Sequence, residues 1–142
     1  MTRRFWFLAS LVPLLRAPLH AEDTREAWDA LAGAAAALGE SNASGFLAAF
    51  DPSIPGFASL RTDAQALVTG WDVQSSIELI TSATGEKGPE IEADWLLHLK
   101  LRSEGARAVR NHYPVRCRFA RQAKRWKIVE FTPLAMFAPP RL

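Results

Sequence analysis

Two periods of hydrophobicity divide the chain. Between Asp23 and Gly70 apolar residues recur every three to four positions, the helical period; between Trp71 and Phe131 they recur every second position, the strand period. The spacing predicts a first helix ending at Gly39. Asp23 and Glu26 form a capping box at its start, and Trp28, Leu31, Ala35 and Leu38 make one apolar stripe. A shorter helix is expected from Ser41, carrying Phe46, Leu47 and Phe50 to a stop at Asp51-Pro52, because a residue before proline leaves the helical region. A third is expected from Phe57 or Ser59 to Thr69, with Leu60, Ala64, Leu67 and Val68 inward and Gly70 closing it.

Four strands should follow. Trp71 to Ala83 alternates, and Thr84 to Pro89 reads as a turn. Ile91, Ala93, Trp95, Leu97, Leu99 and Leu101 then form an unbroken apolar face. The opposite face of that strand holds Glu92, Asp94, His98, Lys100 and Arg102, with Leu96 the one apolar exception. After a turn at Ser103-Glu104-Gly105, the next strand sets Val109, Asn111, Tyr113, Val115, Cys117 and Phe119 on one face and Arg110, His112, Arg116 and Arg118 on the other. Pro114 lacks an N–H, so a bulge or an unpaired edge is expected there. Ala120 to Arg125 reads as a basic turn before the last strand, Trp126 to Phe131, and a proline-punctuated tail. A three-residue loop at 103–105 pairs Leu99 with Val109, Trp95 with Tyr113 and Glu92 with Arg116. A two-residue shift would instead pair Asp94 with Arg116. A one-residue slip would bring arginines onto the apolar face, and it is excluded.

Helices first and an antiparallel meander after them predict an α+β domain: three N-terminal helices packed in the concave face of a curved antiparallel sheet. Charge follows the same division. Residues 22–99 carry three basic and thirteen acidic side chains (−10), and residues 100–142 carry eleven basic and two acidic (+9), for a sum of −1. Acids of one strand facing arginines of the next account for much of this split, so no nucleic-acid partner is expected.

A leader precedes the domain. Arg3 and Arg4, an apolar run from Phe5 to Leu15 and a short tail ending at Ala21 read as a secretory signal peptide over residues 1–21, with Ala17 as a second cleavage point. The expected product is a single exported domain, residues 22–142, periplasmic or secreted. The apolar run is roughly half of the ~20 residues a membrane span requires, so no span is expected in the mature chain. Cys117 is the only cysteine, which leaves no intrachain disulfide; its parity makes it a buried apolar residue.

Trp28 on the first helix, the Phe46-to-Asp51 helix end, and Arg125-Trp126-Lys127-Ile128-Val129-Glu130-Phe131 on the last strand together resemble the nuclear transport factor 2-like superfamily over about Thr24 to Phe137. That group includes ketosteroid isomerases and polyketide cyclases (SnoaL-like proteins) and many exported proteins of unknown role. The resemblance implies a cone with an apolar pocket between helices and sheet, and a homodimer through the sheet's outer face.

Isomerase-type members of that group place an acid/base pair on the pocket wall. The groups available here for such work are Asp94, His98 and His112, but parity sets all three opposite the apolar face. Trp71, Trp95, Asn111 and Tyr113 are the expected pocket-lining residues for a small apolar ligand. No metal or cofactor is expected, since the chain has no H-E-x-x-H, no cysteine pair and no glycine-rich phosphate loop. The leading expectation is a non-catalytic ligand-binding or dimeric interaction domain. An isomerase- or dehydratase-like enzyme is the alternative, and docking of an acidic partner on the basic outer strip is a third reading.

Overall fold

The computed structural model describes residues 2–103 and 107–141, with side chains from Ala21 onward. Three helices come first: α1 (Thr2–Gly39), α2 (Ala43–Leu47) and α3 (Phe57–Gly70). Four strands follow, β1 (Trp71–Gly85), β2 (Gly88–Leu101), β3 (Ala108–Gln122) and β4 (Arg125–Thr132), then a short 3-10 helix, Leu134–Phe137. The strands form one antiparallel sheet in the order β1-β2-β3-β4. The architecture is the expected α+β arrangement of helices against a curved, unclosed sheet.

Helix boundaries differ from the sequence pattern in instructive ways. α1 passes through Asp23, so that residue lies inside a helix and caps nothing. No glycine or proline stands between Leu19 and Gly33 to stop propagation, and a capping box permits a helix start without enforcing one. Ala27, Leu31, Ala34, Ala35 and Leu38 are the buried stripe of α1. At its far end the left-handed residue is Ser41 (φ 60°) rather than Gly39. α2 is shorter than its apolar residues suggest. Asn42 caps it, its Oδ1 accepting from the Gly45 amide at 2.9 Å. Phe50 leaves the helix to form a parallel bridge with Ile128 of β4, where the Asp51 amide donates to the Ile128 carbonyl (2.9 Å) and the Ile128 amide to the Ala49 carbonyl (2.8 Å). A backbone partner supplied by β4 outweighs helix continuation here.

The β2–β3 register pairs Leu99 with Val109, Trp95 with Tyr113 and Glu92 with Arg116, the first of the two registers allowed by parity. The last pair closes an ion pair at 3.1 Å. Arg118, opposite Glu90, turns instead to Glu130 on β4 at 2.9 Å. Gly105, the expected hairpin glycine, lies outside the described residues. Pro114 sits opposite Asp94 with no bulge; β4 pairing begins only at Arg116, so β3 is locally an edge at the proline. The bulges fall elsewhere, between Leu79 and Thr81 on β1 and at Arg118/Phe119 against β4, and they bend the sheet around the helices.

The β1–β2 hairpin turn is also tighter than its turn residues suggest. Glu86-Lys87 alone joins β1 to β2. Gly88 beyond it takes φ +128°, and a Cβ there would lie 2.3 Å from the Phe119 carbonyl oxygen, so only glycine fits. Among the described residues, no helix is long and apolar enough to cross a membrane.

Candidate interaction face

An aromatic cluster packs on the concave side of the sheet. Trp95 is fully buried, its ring centroid 5.1 Å from Phe137, 5.9 Å from Phe131 and 6.3 Å from Phe46, all in edge-on contacts. Phe50 closes the cluster against Phe46 at 5.1 Å and Phe131 at 5.7 Å. The Trp95 indole N–H donates to Ser75 Oγ at 2.9 Å, which satisfies the one polar atom this ring brings inside. Phe137 arrives from the 3-10 helix of the tail, a contribution the sequence period gives no hint of, because one turn is too short to show one.

At one end of this layer α1 is tied to the last hairpin. Glu26 Oε2 accepts from Trp126 Nε1 at 2.8 Å and from Arg121 Nη2 at 2.9 Å, and the Arg121 guanidinium lies 4.8 Å above the Trp126 ring. Asp51 joins the neighbouring loop to β3, accepting from the Gln122 amide at 2.6 Å. Its carboxyl is held below the ordinary carboxylate range, chiefly by the Ser53 backbone N–H. Burial pushes the Cys117 thiol up to about 12.

The expected ligand residues separate. Trp71 and Trp95 are core side chains, Tyr113 is half-buried beside Trp95 on the neighbouring strand, and Asn111 is exposed. None of the four lines the cavities described below. The expected acid/base residues do come together, on the other side of the sheet. His112 Nδ1 lies 3.3 Å from Asp94 Oδ1, and His98 Nδ1 lies 3.1 Å from Gln74 Oε1. The Asp94 and His112 side chains are 41% and 71% exposed, so neither sits in the desolvated wall that proton transfer of the isomerase type requires.

Pairing turns the middle of the outer face into rows across the strands. Gln74, His98 and Arg110 form one, Ser76, Leu96 and His112 the next, and Glu78, Asp94 and Pro114 the third. Leu96 is thus a half-buried apolar centre with a basic row on one side and an acidic row on the other. A shallow depression of about 390 Å³ lies toward Gln74, His98 and Arg110, and one of about 430 Å³ toward Glu78, Asp94 and His112. A third, about 310 Å³, lies farther along the sheet among Glu90, Glu92, Arg116, Arg118 and Glu130, where the arginines are already paired. The sequence marks Leu96 as an anomaly of strand parity. Its position between rows of opposite charge depends on β1 pairing, which parity leaves open.

Helices that precede and fill a bent four-stranded meander define the nuclear transport factor 2-like fold, and this chain has it. Among solved structures it is similar to a ketosteroid isomerase-like protein from Erwinia carotovora atroseptica (TM-score 0.64, 11% identity, 78% of this chain and 93% of that one). It is similar also to a protein designated an aromatic ring hydroxylase from Novosphingobium aromaticivorans (TM-score 0.66, 16% identity, 78% and 87%). A third, designated a polyketide cyclase, from Xanthomonas campestris pv. campestris, gives a TM-score of 0.54 at 14% identity over 78% and 90%. No protein-family model and no curated protein matches the sequence. At these identities the likeness is one of fold, and function has to be argued from the site.

Proposed function

We propose that this chain is an exported, non-catalytic interaction domain that pairs with a second copy of itself through the outer face of its sheet. Export rests on the leader pattern of Arg3, Arg4, the Phe5–Leu15 run and Ala21. The observation that carries the pairing is the self-complementarity of the rows around Leu96. A two-fold axis running across the strands along the Ser76–Leu96–His112 row sets Leu96 upon Leu96. It also lays His98 of each copy over the partner's Asp94 and Lys100 over the partner's Glu92. Lys100 of each copy then meets a partner carboxylate on either side of an apolar centre, which favours this register over a rotated one.

The enzyme-like names of the structural neighbours supply the second reading, an isomerase- or cyclase-like activity. It is not favoured here, because the aromatic cluster occupies the concave side and Asp94, His98 and His112 lie on the convex one. Sedimentation of the purified protein decides the first reading. The wild type should sediment as a dimer, the dimer should weaken as salt rises, and Leu96→Arg should be monomeric with an unchanged melting temperature. A wild type that stays monomeric at about 100 μM, a concentration at which even a weak dimer with Kd near 10 μM is mostly formed, would sink the proposal.

A further inference from the structure

β4 covers only half of β3. Pairing between them runs from Arg116 to Gln122, and β4 ends at Thr132, so β3 has no paired strand on that side from Ala108 to Val115. From Ala108 to Pro114 no side chain is buried, whereas Val115, Cys117 and Phe119 beyond them are. The other free edge, on β1, is broken by the bulge at Leu79/Thr81, a device that blunts an edge.

The ladder decides which backbone groups are open. In an antiparallel pair, successive residues direct their N–H and C=O alternately toward the partner strand and away from it. The Arg107 carbonyl accepts from the Leu101 amide at 2.8 Å, so Val109, Asn111 and Tyr113 in turn face β2. The backbone groups of Ala108, Arg110 and His112 therefore point out of the open edge. Pro114, which has no N–H, ends that row of donors.

The same stretch carries charge that nothing balances. On the outer face of β3, Arg116 is held by Glu92 at 3.1 Å and Arg118 by Glu130 at 2.9 Å. Arg110 lies opposite His98 and has no carboxylate partner among the described residues. Lys100, opposite the small side chain of Ala108, has none either, because Asp72 across from it pairs with Arg102 at 2.7 Å. The basic strip of the sequence is thus neutralised along most of its length and left open at one end, where the backbone is open too.

We propose that β3 takes an extended acidic segment of another protein as an added antiparallel strand along residues 108–113, with carboxylates opposite Ala108 and Arg110. Backbone hydrogen bonds supply the affinity, and the cross-strand pair with Arg110 selects an acidic sequence. The added strand lies in the plane of the sheet, beside its outer face, so this docking is separate from the self-pairing proposed above.

The probe is a short fluorescein-labelled peptide of alternating glutamate and valine, titrated with the purified protein and followed by fluorescence polarisation. Binding should saturate and weaken as salt rises. Arg110→Ser should weaken it about two- to fivefold, the scale of an exposed ion pair, and Arg110→Glu further, both at an unchanged melting temperature. N-methylation of the glutamates, whose N–H groups meet Arg110, should abolish binding, while N-methylation of the valines should spare it. Leu96→Arg should bind the peptide as the wild type does, so the edge site stands or falls apart from self-pairing. A peptide with glutamine for glutamate that binds equally well overturns the acidic partner. Indifference to glutamate N-methylation overturns the added strand. A peptide that dissociates a wild-type dimer binds the outer face, and one that shows no binding by about 1 mM has no site; either result overturns the proposal.

Discussion

Truncation of Trp95 measures how full the concave side is. Trp95 has no exposed surface, touches three aromatic rings and satisfies its indole N–H on Ser75 Oγ at 2.9 Å. Trp95→Ala removes the whole ring from a packed site and should cost about 3–5 kcal/mol, from lost transfer energy and the cavity left among Phe46, Phe131 and Phe137. Against a domain stability of about 5–15 kcal/mol, that brings the fold close to its threshold. Ser75→Ala keeps the ring and removes only its acceptor. It should cost about 1–3 kcal/mol, because the indole N–H is then buried and unpaired. Trp95→Phe should fall in a similar range, with less area lost and no orphaned donor. Urea unfolding followed by far-ultraviolet circular dichroism gives all three without relying on the emission of the remaining tryptophans. A cost under about 1 kcal/mol for Trp95→Ala at unchanged m-value would mean that the ring borders open space. The concave side would then be a ligand cavity, and the reasoning for a non-catalytic interaction domain would fail with it.

Two further outcomes follow from the same packing. Gly88→Ala should be among the most damaging single-methyl changes in the chain, since both its φ of +128° and the 2.3 Å approach of a Cβ to the Phe119 carbonyl oxygen exclude a side chain; a melting temperature within a degree of wild type would contradict it. Cys117, buried and with its thiol pushed up to about 12, should resist a thiol-reactive dye at pH 8 and react only as fast as the domain opens, so that labelling follows the urea transition; rapid labelling of the native protein would refute its placement.

Much of this fold is legible from alternation alone. The β2 face from Ile91 to Leu101 is buried at every second residue, as its sequence requires, because a strand of period two can hide only one set of side chains. The same parity narrows the β2–β3 register to two, and the structure takes the one that sets Glu92 on Arg116. What local pattern misses are features decided by partners distant in sequence. Phe50 leaves its helix because Ile128 offers a backbone ladder, and Phe137 enters the core from a tail that reads as irregular. The site divides in the same way. Parity alone puts Asp94, His98 and His112 opposite the apolar face, and there they lie.

By itself the sequence determined the order of elements and which face of each is apolar, and it narrowed the central hairpin to two registers, because these depend on the period of a single element and its neighbour. Only the tertiary structure decided what fills the concave side and what meets on the convex one. Trp95, which parity allows equally as a pocket wall or a core residue, is enclosed by rings from α2, β4 and the tail. His98, His112, Gln74 and Asp94 become one polar group around Leu96 because three strands fold into register. Side chains from separate strands form a surface only where backbone pairing sets them in rows, and no local period encodes those distances.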